Sequence, residues 1–355
     1  MRSSRKLITF VSCGLSLSAL LMVSPAWADC LIAGSNERLT NFCLVERSKD
    51  ANVPLSFAIM LDTRLKRVGH LNGLGFPMKV KRTDFTPFAS PVLYYSTNIN
   101  GGNPKKKLVL GNRSFSGDPN LIRKTGILIG ATSGLKGRSI YGDGKYIDLN
   151  LTASHAYSPK HQTGVTNLSG AICSQNQIKN NLHLDACVGL TRIKKQITDQ
   201  KNKYLSLSIL NFFTSSPFLQ HQNTLEATRY FEKNYTQNQF SLTHQTLNKT
   251  GYLSNLTLTI GEPVDNQLVT RRALNWSLEK HIENRKIAIS ANLRMASGGK
   301  VFGFDRNEKT RLLSLSYQLF KNLEIGFGYS KTDSNIDYFS ASQPIFTIQF
   351  PAITF

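Results

Sequence analysis

Leu312-Leu313-Ser314-Leu315-Ser316-Tyr317-Gln318-Leu319-Phe320 decides the fold. Leu313, Leu315, Tyr317 and Leu319 fall on one parity, and Ser314, Ser316 and Gln318 on the other. Successive side chains in a strand point to opposite faces, so strict alternation describes a strand with one apolar and one polar surface. Only Lys321-Asn322 intervenes before Leu323, Ile325, Phe327 and Tyr329 alternate with Glu324, Gly326, Gly328 and Ser330. A closing segment repeats the pattern, with Phe346, Ile348 and Phe350 against Thr347 and Gln349. A transmembrane β-barrel has this texture, apolar toward lipid and polar toward a wet lumen.

The start of the chain agrees. Arg2, Arg5 and Lys6 precede a mostly apolar stretch from Leu7 to Val23, and Ala26-Trp27-Ala28 is a small-x-small cleavage site. Residues 1–28 read as an export signal and Asp29 as the mature start. Asp29 sits where a small residue would precede a lipidated cysteine, so Cys30 reads as unlipidated. No later stretch has the ~20 apolar residues a membrane helix needs. Hydrophobic residues are 40% of the chain, in keeping with strands that wet one face. The formal charge is +21, or +18 without the three basic residues of the leader. Basic loops meeting anionic lipopolysaccharide account for this excess, and a lumen that draws anions is the sharper reading. The Lys and Arg residues are dispersed rather than clustered, which argues against nucleic acid.

Four cysteines follow the leader, and an even count in an exported chain implies disulfides. Proximity pairs Cys30 with Cys43 and Cys173 with Cys187. Cys173 lies opposite in parity to Leu168, Gly170 and Ile172, and Cys187 opposite to Ala186, Val188 and Leu190, so both face the lumen across a hairpin. No His or Cys beside either pair has metal-ligand spacing, and no cofactor is expected.

From Pro87 to Phe355 the chain divides into about fourteen strand-like segments, beginning with Phe88–Asn98 and Lys124–Ser133. The expected fold is all-β, an antiparallel barrel of about 14 strands. Loop lengths set its polarity, because such barrels have short turns at the end carrying the termini. Counting back, Thr332 to Ile345 is long, Lys321-Asn322 short, Ala296 to Thr310 long and His281 to Arg285 short. Residues 98–123 make the longest connection, an outer loop or one folded into the pore. Residues 29–86 form an N-terminal periplasmic or plug-like segment stapled by Cys30–Cys43. Alternation of Leu55, Phe57, Ile59, Leu61 and Leu65 would instead add a strand there and allow 16.

Charges on a barrel wall are costly toward lipid and harmless toward water. By parity Arg271, Glu279, Arg294, Glu226 and Glu232 all point inward, as lumen ion pairs or a selectivity ring. Tyr94, Tyr95, Tyr146, Tyr157, Tyr204, Tyr252, Tyr317, Tyr329 and Tyr338 cluster near strand ends, as interfacial girdles do. Phe346, Ile348, Phe350 and the terminal Phe355 form the candidate assembly signal. Phe350 is expected as the last lipid-facing residue, with Pro351 to Phe355 a short tail, since proline cannot donate to a ladder; the alternative ending is Ile353-x-Phe355, which lies in the opposite parity and requires a bulge at Pro351.

Two short motifs carry resemblances. Thr243-His244-Gln245-Thr246 is similar to the His-x-Ser arrangement on the lipid-facing wall of outer-membrane phospholipase A, where an Asn on a neighbouring strand orients the His. Phe240 and Leu242 put His244 and Thr246 on the outward side, but threonine replaces serine and Ca²⁺-binding carboxylates are not evident nearby. A polar pair at the bilayer interface is the plainer reading, and the chain is read as no enzyme. Ser96-Thr97-Asn98-Ile99-Asn100 and Ser334-Asn335-Ile336-Asp337-Tyr338 resemble the opening and closing signatures of the barrel of surface lipoprotein assembly modifiers. That resemblance implies an assembly or export factor with a client protein, yet residues 29–86 are too short for the family's tetratricopeptide domain. The leading expectation is an outer-membrane pore or translocation channel without catalysis; the alternatives are the assembly or export factor, a structural or adhesive barrel closed by the long 98–123 loop, and last a lipase-like enzyme. Its partners would be outer-membrane lipid, lipopolysaccharide and the barrel-assembly machinery.

Overall fold

The computed structural model describes residues 30, 36–49, 53–76, 82–110, 112–216, 219–248, 250–282, 285–320 and 323–355. The export signal lies outside them. Two helices come first, α1 (Glu37–Ser48) and α2 (Leu55–Arg67). Strand β1 (Thr83–Ser96) follows, then a small hairpin of β2 (Lys107–Leu110) and β3 (Arg113–Ser116). Next are β4 (Gly126–Gly142), β5 (Lys145–Ser158), β6 (Thr163–Lys179), β7 (Leu182–Lys194), β8 (Asp199–Ser216) and β9 (Leu219–Phe231). Then come β10 (Thr236–Asn248), β11 (Tyr252–Gly261), β12 (Val269–Ile282), β13 (Arg285–Val301) and β14 (Phe304–Phe320). The chain ends with β15 (Leu323–Ser334), β16 (Ala341–Gln349) and the two-residue β17 (Ile353–Thr354).

Among the described residues, fourteen strands form one antiparallel meander, β1 and β4 to β16. It closes where β16 pairs with β1 through Val92↔Gln349, Leu93↔Ile348, Tyr94↔Thr347 and Tyr95↔Phe346. A closed barrel leaves no edge, which is how strands can cross a membrane.

The alternation that suggested the fold is physically there. Leu313, Leu315, Phe327 and Tyr329 are exposed on the outer wall, whereas Ser314 bonds Ser290 inside at 2.6 Å. Leu315 stands opposite Phe327 in the β14–β15 ladder. The pattern breaks at Leu319, where a bulge between Gln318 and Phe320 puts Phe320 on the outer face instead.

Connections at the end of the barrel where β1 begins, the near end, are two or three residues long. At the far end they run from two residues to the long 97–125 loop. The connection read as spanning Ala296 to Thr310 is corrected: β13 and β14 continue upward as a hairpin and turn at Phe302-Gly303, both with positive φ. Strand β4 also runs nine residues past Ser133. In this continuation the charges of Lys136 and Arg138 point inward, while Leu135 pairs with Leu151.

Residues 55–65 are not a strand, so the sixteen-strand alternative falls. The same apolar residues satisfy a helical period: Phe57 and Leu61 are buried and Leu65 packs behind them at i, i+4, i+8. A short apolar run cannot be assigned by period alone.

The C-terminus needs a second correction. Pro351 does interrupt β16, yet the chain resumes pairing as β17, with Ala89↔Ile353 and Phe88↔Thr354. The Phe355 N–H then donates to the Pro87 carbonyl at 3.1 Å. The register sum shifts by one residue between the two pairings, so the segment around Pro351 acts as a bulge. Ile353 and Phe355 are both strongly exposed on the outside.

Candidate functional site

The lumen is the natural place for function, and both its ends carry folded segments. At the near end α1 lies inside the barrel. Asn36 caps the helix by accepting from the Leu39 N–H, and its amide donates to Gln222 of β9 at 2.7 Å and to Gln245 of β10. Such a cap satisfies one of the orphan donors of a helix start. Arg38 makes a bidentate pair with Asp185 of β7, at 2.8 and 3.1 Å, and its Nε reaches the Tyr146 hydroxyl of β5. Glu37 accepts from Arg138 of β4 at 2.8 Å. Arg138 in turn clasps Asp148 through two bonds, donates to the Arg67 carbonyl at the end of α2, and stacks over Tyr146 at 4.3 Å.

An apolar contact completes the seat. Leu39, Leu44, Phe57 and Leu61 of the helices bury against Leu210 and Phe212 of β8, Leu247 of β10 and Leu253 of β11. The Cys30–Cys43 disulfide lies within this cluster. Inside the plug, Asp62 is fully buried and pairs with Lys66 at 2.8 Å. Burial alone would raise the Asp62 pKa, but the Lys66 ammonium and the Leu74 N–H outweigh it and leave the carboxyl below its ordinary value.

Between the plug and the wall formed by β1, β4 and β5 a cavity of about 630 Å³ remains. Lys66, Arg67, Lys136 and Arg138 line it together with Glu37, Asp84 and Asp148.

At the far end the 97–125 loop folds over the mouth. Ile99 is fully buried against the lumenal side chains Leu128, Ala156 and Val165. Asn100, also fully buried, donates to the Ile122 carbonyl at 2.8 Å and accepts from Lys124 and Gly102 N–H groups. Its own carbonyl accepts from Ile197 in the β7–β8 loop. The β2–β3 hairpin packs Leu108 against Ile336 and Tyr338 of the β15–β16 loop. Lys105 pairs with Asp337 there. The two Asn-Ile motifs singled out in the sequence are therefore loop anchors whose isoleucines are buried, at 0% and 5% exposure.

Of the five lumen charges expected from sequence, the four that lie in strands are on inward parity, but they do not gather. Glu226 accepts from Thr228 and Ser208. Arg271 donates to the Gly261 carbonyl at a bulge near the far end. Glu279 sits beside His281 near the other end of the same strand. Arg271 and Glu279 are eight positions apart, roughly 26 Å along the strand, so one ring is excluded. Arg294 lies on the inner face of β13, and Glu232 lies just beyond β9, its N–H bonded to the Tyr235 carbonyl and its carboxyl pKa raised by burial. The charges that do converge, Arg38, Glu37, Arg138, Asp148 and Asp185, were missed. Two of them sit in a segment with no strand pattern, so parity could not orient them.

Cys173 and Cys187 are bonded and stand directly opposite in the β6–β7 ladder, with Cα atoms 4.1 Å apart. The hairpin turn is tighter than the polar stretch suggested, at Asn180-Asn181. The tyrosine girdle is also narrower. Tyr95, Tyr157, Tyr252, Tyr317 and Tyr329 face outward, but Tyr94 and Tyr146 pack inside, Tyr204 meets Tyr230 in the lumen, and Tyr338 is buried in the far loops.

On the outer wall, His244 and Thr246 face lipid as parity required. Asn223 of β9 bonds His244 Nδ1 at 2.7 Å, and Thr246 Oγ1 lies 3.0 Å from His244 Nε2.

No family model matches this chain, and no curated protein matches it. Among solved structures it is similar to OccAB3 of Acinetobacter baumannii, at 9% identity and TM-score 0.42, covering 77% of this chain and 100% of that one. It is similar to OprB of Pseudomonas putida, at 8% identity and TM-score 0.45, covering 80% and 97%. The outer membrane protein OprD of Pseudomonas aeruginosa aligns at 9% identity and TM-score 0.39, covering 78% and 94%.

Proposed function

We propose that this protein is a gated channel of the bacterial outer membrane, with its near end in the periplasm. An apolar outer wall around an inner face rich in Ser, Thr, Asn and Gln suits a bilayer outside and water inside. Eight strands are just filled by side chains, whereas fourteen leave a wider lumen. Here α1 and α2 occupy part of that lumen. The observation that carries the gating reading is the chemistry of one side of the seat: the plug meets β4, β5, β7, β9 and β10 through ion pairs and amide bonds, and the apolar contacts of α1 and α2 lie on β8, β10 and β11. Water can replace such bonds when the helices move, which it cannot do for an interdigitated apolar core.

The test is conductance in planar bilayers. The wild-type protein should show small or flickering currents, and Asp185→Ala or Arg38→Ala should raise the open fraction. Silence from both variants, with the barrel folded, would discard the channel reading.

A further inference from the structure

Beside the plug, two cations are left without a carboxylate. Asp84, Arg138 and Asp148 stand side by side on the lumen face of β1, β4 and β5, and Glu37 of α1 closes on the same guanidinium. Lys66 of α2 is taken by Asp62 and by the Phe76 carbonyl. These charges are committed to the seat. One row farther into the barrel, about 7 Å along the strands, Lys136 stands between Thr86 and Asn150, neither of which is charged. Its ammonium lies over the Phe88 ring at 5.4 Å, a contact that fixes its position without neutralising it. Gly134 makes room for that ring, since a Cβ there would collide with it. Arg67, at the end of α2, is exposed, and it is its backbone carbonyl that Arg138 engages. Among the described residues, neither Lys136 nor the Arg67 guanidinium has a carboxylate partner.

Both cations line the cavity of about 630 Å³, Arg67 from the plug and Lys136 from the wall. That volume is in the range of ordinary small-molecule pockets. Two like charges on one wet space repel each other, and an anion between them turns the repulsion into attraction. Around them the lining is neutral and hydrogen-bonding, with Thr63, Thr86 and Asn150. The carboxylates Glu37, Asp84 and Asp148 border the cavity on its other side and disfavour a second anionic group there. The site therefore suits a ligand with one compact, doubly charged group and a neutral, hydroxylated remainder. A phosphate monoester carries about −1.5 to −2 charge at pH 7 on three strong acceptor oxygens. Those oxygens match the planar fork of Arg67 and the point charge of Lys136.

We propose that this cavity binds small phosphate monoesters of hydroxylated molecules. The phosphoryl group lies between Arg67 and Lys136, and the hydroxyls meet Asn150, Thr86 and Thr63. The assignment rests on the channel reading and deepens it by naming the class of solute that the lumen holds. An anion held between α2 and β4 also tightens the plug on the wall, because it binds the seated form and not the displaced one.

The experiment is titration calorimetry on the detergent-solubilised full-length protein, with glycerol 3-phosphate as the probe and inorganic phosphate, succinate and glycerol for comparison. Heat-modifiable migration checks that each variant is folded. Glycerol 3-phosphate should bind most tightly of the four, and glycerol should not bind. Lys136→Gln and Arg67→Gln should each weaken its binding about tenfold, and Lys136→Arg should keep it. Saturating probe should slow proteolysis of the plug in the wild type and not in Arg67→Gln. The titration needs no current, so the two readings fail separately. A barrel that conducts and does not bind the probe overturns this assignment alone, and one that binds it and never conducts overturns the channel alone. Tighter binding of succinate than of glycerol 3-phosphate, or undiminished binding by folded Lys136→Gln, would also overturn the assignment.

Discussion

Leu315 and Ser316 are neighbours in the chain and face different solvents. A charge at the lipid midplane costs roughly 2–4 kcal/mol, while a lumen position stays wet. Leu315→Arg should therefore reduce the folded, heat-modifiable fraction, and Ser316→Arg should not. Equal yields of the two would show that the faces are misassigned. Asn100 is the matching test at the far end. Its buried side chain holds three backbone groups of the long loop, and each group left unpaired costs about 1–3 kcal/mol. Asn100→Ala should loosen the loop and speed tryptic cleavage at Lys105-Lys106-Lys107. Unchanged cleavage would mean the loop is held by Ile99 and the hairpin alone. At this scale parity was legible and partnership was not. His244 and Thr246 were visible as outward-facing. Asn223 and His221 emerge only once the β9–β10 register pairs residues 223 with 244 and 221 with 246. The turn at Glu232 to Tyr235 sets that register, and an error of a few residues in its position would have paired the wrong side chains.

Among the elements, α1 and α2 carry the gate. Arg38 and Asp185 are about nine-tenths buried, so removing one partner strands a charge. Breaking a pair of this kind costs about 3–5 kcal/mol. Asp185→Ala should release α1 and leave the plug sensitive to protease from the near end, while β1 to β16 stay protected. Equal protection of plug and barrel would show that the apolar contacts to Phe212 and Leu247 suffice. Acid should act in the same direction. The Asp62 carboxyl has a folded pKa below its unfolded value, near 3.9. Its stabilisation is present above about pH 4 and is lost as pH falls through the lowered folded pKa. Plug protection should therefore weaken as the pH is taken below about 4, and Asp62→Asn should show weakened protection already at neutral pH. A plug equally protected at pH 3 and pH 7 would remove Asp62 from the seat. The strand alternative for residues 55–65 arose because their apolar spacing fits two periods at once, and burial of Phe57 and Leu61 in the cluster with β8 and β10 decided between them.

For the whole molecule the seam between β1 and β16 is the weak point. Strand β1 pairs with β4 along its full length but with the closing strand only at residues 92–95 and 88–89. Deleting Pro351 to Phe355 would leave Pro87 to Ala89 unpaired on one side. The truncated chain should give less heat-modifiable barrel, and Phe355→Ala should lose less, because its backbone bond to Pro87 survives. Full folding of the truncated chain would return residues 351–355 to the status of a tail. Reduction of Cys173–Cys187 should matter little here, since ladder bonds hold both strands on either side of it.

Local alternation was enough to determine an antiparallel barrel of about fourteen strands and the lipid-facing side of most of them, and loop lengths gave the short turns over the last strands. Those properties depend on period and spacing, which are written along the chain. The plug, the loop across the mouth, the converging charges around Arg138 and the hydroxyl–imidazole chain on the outer wall were decided only by the closed tertiary structure. Each joins residues tens to more than two hundred positions apart, as Asn36 joins Gln245. Contacts of that kind are set by register and ring closure, for which one sequence carries no local signal.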